Sequence, residues 1–206
     1  MKKIIAGLIF IMLISCTSTR LVDRWRNPEA NEFKPQKIMI LGITQNLTAR
    51  KIFEEDLKTE FLNRNIDAVE STMVLGDDFT QSMKSEAEIE ALNAKLISKG
   101  FDALVVTVVK GVDEIHSFQP ENHWPQFGRY YYRFQDIYYN PGYYNDYKVY
   151  RVETSVYNIR ETNGKSLVWV GDFEIVDPQK IRTSVTDYVK AITNRLEQDD
   201  IIPKIN

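Results

Sequence analysis

SEAEIEALNAKLISKGFDALVVTVV, Ser85 to Val109, carries a helix and a strand back to back. Ser85 and Glu88 have the S-x-x-E spacing in which each side chain satisfies a free backbone donor of a helix's first turn. Ile89, Leu92 and Leu96 then recur at helical spacing, and Gly100 stands where a helix is left through a left-handed residue. Phe101 to Val109 is an almost unbroken apolar run, the pattern of a strand buried on both faces. A helix that feeds such a strand returns the chain to a parallel neighbour, and this points to an α/β fold.

The preceding residues repeat the unit. KIMILGI (Lys37 to Ile43) reads as a buried strand, and TARKIFEEDLKTEFLNRN (Thr48 to Asn65) as a helix with Ile52, Phe53, Leu57, Phe61 and Leu62 on its apolar stripe. Arg50 and Glu54 stand four apart and are expected on the outer face of that helix. Asn46-Leu47-Thr48 matches a glycosylation sequon but reads better as a helix start. Ile66 to Glu70 completes the unit as a short strand.

Downstream, Asn163-Gly164 lies between two β-rich runs and fits the centre of a type I′ turn, because both positions favour positive φ. A two-residue loop there makes paired residue numbers sum to 327, so that Val152, Thr154, Val156 and Asn158 face Ile175, Phe173, Gly171 and Trp169. The same register sets Glu153 against Glu174 on the other face. Asp177-Pro178 reads as an N-cap with proline at the first helical position, opening a helix through Ile181, Val185, Val189, Ile192 and Leu196.

The expected fold is therefore α/β, with α+β as the neighbouring class: a mixed five-stranded sheet in the order β-α-β-α-β-β-β-α, helices packed on it, and a long aromatic insertion between the third and fourth strands. The expected divisions are a leader over 1–15, a lipidated cysteine and short tether over 16–36, one domain over 37–198 and a tail over 199–206. The insertion occupies 112–146.

The chain begins MKKIIAGLIFIMLISC. Two lysines and eleven apolar residues, Ile4 to Ile14, are too few to span a bilayer and have the layout of a secretory signal. Leu13-Ile14-Ser15-Cys16 resembles the lipobox of bacterial lipoproteins. That resemblance implies cleavage before Cys16, a diacylglyceryl thioether on its sulfur and acylation of its new amine. Several buried acyl chains, at ~0.8 kcal/mol per methylene, hold a protein to a membrane for good. Thr17, where an aspartate would retain an enteric lipoprotein at the inner membrane, implies the outer membrane, and the lack of an acidic cluster after Cys16 favours the periplasmic face. Cys16 is the only cysteine, so the exported domain stands on its core without disulfides.

Loss of Lys2 and Lys3 with the leader takes the formal net charge from −3 to −5. An acidic domain is a poor partner for nucleic acid or anionic head groups. Catalytic signatures are also missing. There is no Gly-rich phosphate loop, no Gly-x-Ser-x-Gly, no His-Glu-x-x-His and no Cys-x-x-Cys. His116 and His123 fall near Asp113, Glu114 and Glu121, but without metal-ligand spacing, so no metal or cofactor is expected. The opposed Glu153 and Glu174 could shift each other's pKa for acid–base work, and they read more simply as a solvated strand face relieved by Arg151.

Nine of the eleven tyrosines lie between Arg129 and Tyr150. With Trp124, the rings of Tyr130, Tyr131, Tyr132, Tyr138, Tyr139, Tyr143 and Tyr144 form the candidate binding surface, because tyrosine supplies contact area at low entropy cost. The competing expectation is a self-packed flap with its rings against the sheet.

The lipobox, the βαβαβ half, the Gly100-Phe101-Asp102-Ala103-Leu104-Val105-Val106 strand, the tyrosine-rich loop and the strand ending Leu167-Val168-Trp169 together resemble a group of uncharacterised bacterial envelope lipoproteins. The element order is also similar to that of the curli-secretion channel lipoprotein and the amino-terminal domain of TolB. The expected function is that of a non-catalytic binding or assembly module on the outer membrane. It would meet an envelope protein, peptidoglycan or a second copy of itself, with a cell-wall-directed or metal-dependent hydrolase as the alternative. Replacing Cys16 by alanine should move the protein from the membrane fraction to the soluble one, and an unchanged distribution would refute lipid anchoring.

Overall fold

The computed structural model describes residues 18–76, 79–80, 82, 84–119, 143–161, 166–178 and 180–205, with 86, 114–119 and 143–147 described by their backbone alone. Strand β1 spans Thr19–Arg26, β2 Lys37–Ile43, β3 Asp67–Glu70, β4 Ala103–Gln119, β5 Tyr143–Asn158 and β6 Leu167–Val176. Helices are α1 (Leu47–Leu62), the short α2 (Ser71–Leu75), α3 (Glu86–Ser98) and α4 (Ile181–Gln198).

The strands make one six-stranded mixed sheet in the order β1-β6-β5-β4-β2-β3. The β2–β3 and β2–β4 ladders are parallel, and the ladders from β4 through β5 and β6 to β1 are antiparallel. The mixed α/β class stands, while the expected five strands become six and their order changes. The sixth is β1, drawn from the segment read as a tether. Its sequence, TRLVDRWR, hides it: an edge strand has one solvated side, and an extra residue between Leu21 and Asp23 breaks the alternation.

The apolar stripes fill two cores. On one sheet face α1 and α4 bring Phe53, Leu57, Phe61, Tyr188, Val189, Ile192 and Leu196 onto Ile38, Ile40, Val105, Val152, Val156, Trp169 and Phe173. On the other face Leu96 of α3 joins Met39, Phe101 and Ile159, with Val74 and Leu75 of α2 alongside. The capping box is present: Ser85 Oγ accepts from Glu88 N, Glu88 Oε2 accepts from Ser85 N, and Gly100 has φ +86°. Asn46 caps α1 by accepting from Ala49 N at 3.0 Å. Ile89 and Leu62, expected on apolar stripes, are exposed instead.

The β5–β6 register differs from the one read off Asn163-Gly164. Val152 faces Phe173, Thr154 faces Gly171 and Val156 faces Trp169, a two-residue slip. The ladder ends at Tyr157 and Leu167, with Asn158 N donating to Ser166 O, so the connection is longer than two residues. Residues 162–165, which include the expected turn, lie outside the described residues. Core filling sets this register. Fully buried Trp169 donates from Nε1 to Asp199 Oδ2 at 2.8 Å, and its ring lies over Gly171. Because strand side chains alternate with period two, the slip keeps every predicted core residue on its predicted face.

Helix α4 also begins later than Asp177-Pro178 suggests. Asp177 has φ +47°, and its amide still donates to Lys148 O in the sheet, so Lys180 is the N-cap residue.

A Cβ at Gly171 would stand 2.8 Å from Trp169 Cζ2 and 2.9 Å from Phe173 Cε2, where there is no room for it. Gly171→Ala should therefore cost about 1–3 kcal/mol by overpacking. Gly111→Ala, whose nearest neighbour would be Arg151 Nη2 at 3.5 Å, should be close to neutral. Urea unfolding midpoints of the two variants check the pair.

Candidate functional site

Strand β4 leaves the body of the sheet and keeps its partner. Its pairing with β2 ends at Ile43 and Val108, and the pairing of β5 with β6 ends at Val149 and Val176. The β4–β5 ladder runs on through Glu114–Lys148, Ile115–Tyr147, His116–Asp146, Ser117–Asn145, Phe118–Tyr144 and Gln119–Tyr143. Most of what reads in sequence as a loop over 112–146 is thus bracketed by a two-stranded ribbon, and the insertion proper begins after Gln119. Those last six pairs are flanked by no third strand among the described residues, and they extend about 20 Å at ~3.4 Å per residue.

A bulge marks the base of the ribbon. Val109 pairs with Val152 and Gly111 with Arg151, which leaves Lys110 as the extra residue. Lys110 continues the outer-face row of Val106 and Val108, and its Nζ sits 2.9 Å from both Glu153 Oε2 and Asp172 Oδ1. The expected opposition of Glu153 and Glu174 is therefore corrected: the two-residue slip puts Asp172 opposite Glu153 and Arg151 opposite Glu174. Hydrogen bonds to Asp172 and then to Glu153 hold the Lys110 ammonium above the usual lysine range. A lysine kept charged between two carboxylates serves neither as base nor as nucleophile. The row continues with Arg151–Asp113 at 3.0 Å and Arg20–Glu174 at 2.5 Å, a solvated ladder of half-exposed charges.

A second polar cluster is buried where β2 ends. Arg50 and Glu54, expected on the outer face of α1, point inward, each 1 % exposed. Glu54 Oε1 accepts from Arg50 Nε at 3.0 Å, Ser71 Oγ at 2.6 Å and Gly42 N at 3.0 Å, while Arg50 Nη2 donates to Ser71 Oγ and Nη1 to Thr80 Oγ1. A Cβ on Gly42 would meet Arg50 Cγ at 3.2 Å, so the absent side chain lets the guanidinium stem lie against β2. The i,i+4 spacing that suggests a surface pair thus locks α1 and α2 to the end of β2. Since these groups satisfy one another, the cluster is a structural joint. A third network runs through the core, where Thr107 and Thr154 hydroxyls stand 2.5 Å apart and Thr154 lies 2.7 Å from the Tyr188 hydroxyl, whose pKa burial pushes well upward.

Tyr143 and Tyr144 of the sequence-derived surface lie on the ribbon, paired with Gln119 and Phe118. Cys16, Trp124, Tyr130, Tyr131, Tyr132, Tyr138 and Tyr139 lie outside the described residues, as does His123. Among the described residues no group of three or more His, Cys, Asp and Glu side chains is placed to hold a metal ion, and no helix is long and apolar enough to cross a membrane. Sequence reasoning misses the role of Lys110 because its two carboxylate partners, Glu153 and Asp172, are brought together only by the β5–β6 register.

No protein-family model and no curated protein matches the chain. Among solved structures it is similar to the PelC dodecamer from Paraburkholderia phytofirmans, at 8 % identity over 90 % of this chain and 98 % of that one, TM-score 0.39. It is similar also to lipoprotein GNA1162 from Neisseria meningitidis, at 12 % identity over 80 % and 99 % of the two chains, TM-score 0.42. Scores this low mark a partial likeness and transfer nothing of those proteins' roles.

The buried cluster predicts a large effect from one substitution. Glu54→Leu removes the carboxylate shared by Arg50, Ser71 and the Gly42 amide, and should cost about 3–5 kcal/mol in urea unfolding. Arg50→Met combined with Glu54→Leu should recover a substantial part of that loss, because the pair is then replaced by apolar volume.

Proposed function

We propose that the chain is a lipid-anchored envelope protein, held by Cys16 to the periplasmic face of the outer membrane, and that it works as a non-catalytic binding or assembly module. The observation that carries this reading is the β4–β5 ribbon. A two-stranded ribbon is marginal in water when nothing packs on it. This one leaves the sheet for six pairs and joins its strands through a segment with five of the chain's eleven tyrosines. A scaffold with two well-filled cores that extends such a ribbon is arranged to present residues 120–142 to another envelope component, a protein or a cell-wall glycan. The charged ladder at the ribbon's base favours binding over chemistry, since Lys110 neutralises the opposed carboxylates.

The test combines two variants. Replacing residues 120–142 with a short Gly-Ser linker should leave the cooperative melt of the domain in place. In intact cells, a photoreactive side chain at Tyr131 or Tyr138 should crosslink to an envelope protein or to peptidoglycan. Loss of the cooperative melt on replacement would instead make the segment part of the core. A cell-wall hydrolase is the alternative, and an activity against cell-wall fragments that Glu153→Gln or His123→Ala abolished would establish it over the binding module.

A further inference from the structure

Thr19 of β1 pairs with Ile175, Ile175 with Tyr150 and Tyr150 with Val112, so these four residues form one row across the sheet. The chain therefore enters the fold at the end from which the ribbon leaves. Cys16 precedes Thr19 by three residues, which reach at most about 10 Å. From Val112 to Gln119 the ribbon advances seven residues past the same row, about 23 Å. With an anchor line shorter than the ribbon, the ribbon stays clear of the membrane only if the domain tilts away on the β1 edge.

The surface at that end suits contact with lipid. Eleven large hydrophobic side chains are exposed among the described residues, and six of them, Ile43, Leu47, Met73, Ile89, Val112 and Ile181, sit at or near the ends of β2 and β3, the starts of α1, α3 and α4, or the base of the ribbon. Single exposed apolar residues are ordinary, but their concentration at the end where the anchor enters is informative. Ile181, 44 % exposed, stands between the exposed Lys180 and Arg182. An apolar tip flanked by Lys180 and by Arg182, whose guanidinium also pairs with Asp56 at 3.2 Å, can enter the head-group layer while its charges stay with polar partners and water.

We propose that this end of the domain, with Val112 and Ile181 at its front, lies against the phospholipid surface that holds the Cys16 acyl chains, and that the ribbon lies in or along the head-group layer. The inference rests on the lipid-anchor reading. It makes the membrane itself the first surface the module touches, so an envelope protein or glycan that meets the ribbon does so close to the bilayer.

The experiment uses the full-length acylated protein in phosphatidylethanolamine–phosphatidylglycerol vesicles. Cys16 is blocked by its lipid, so Val112→Cys, Ile181→Cys and, at the far end of α1, Leu62→Cys each offer one thiol for an environment-sensitive fluorophore. Labels at 112 and 181 should lose emission to doxyl-labelled lipid and resist a water-soluble quencher, and the label at 62 should do the reverse. A chain that stays on the vesicles while 112 and 181 respond like 62 overturns this inference and leaves the anchor standing. Labels shielded from water but not quenched by doxyl lipid overturn it in favour of a protein contact. A protein that does not co-float with vesicles, and whose Cys16→Ala variant behaves identically, takes down the anchor reading and this inference with it.

Discussion

The indole of Trp169 lying over Gly171 is the contact on which the functional end of the molecule depends. It sets Trp169 opposite Val156 and Gly171 opposite Thr154. The indole N–H reaches Asp199 at the end of α4, whose other oxygen accepts from Arg24 of β1 at 2.6 Å. One buried ring thus joins the hairpin, the edge strand and the closing helix. That register brings about the opposition of Glu153 and Asp172, the placing of Lys110 between them and the row that aligns Thr19 with Val112.

The two halves of the sheet do different work. The parallel half, β2, β3 and the start of β4, is covered on both faces and locked at its end by the Arg50–Glu54 joint. The antiparallel half carries one packed and one solvated face, as such sheets can. Because β4 and β5 belong to both the body and the ribbon, the ribbon is rooted in strands that contribute Val105, Val152 and Val156 to the core. A segment that would be marginal alone is thereby placed at one end of the sheet.

Much of this is legible in the residues, and the exceptions have physical causes. The capped helix at Ser85, the Phe101 to Val109 strand and the Asn46 helix start need only local chemistry, and the structure contains all three. The hairpin faces are legible while their register is not, because a two-residue slip leaves the binary pattern unchanged. Strand β1 escapes a sequence reading because a bulged edge strand shows little alternation. Arg50 and Glu54 read as a surface pair because i,i+4 spacing looks the same on a wet face and in a buried joint. Their burial depends on Gly42, Ser71 and Thr80, which only the fold brings near. The aromatic segment stands out by composition, but the ribbon that carries it reads as loop, since its polar residues do not resemble a buried strand.

The central claim is that the ribbon is an element completed by the envelope. Amide hydrogen exchange across 113–119 and 143–149, compared between the acylated protein on native membranes and the same protein released in detergent, tests it most directly. The account predicts slow exchange on the membrane and fast exchange after release, with the strands of the sheet body protected in both. Equal protection of the ribbon in the two states would contradict it.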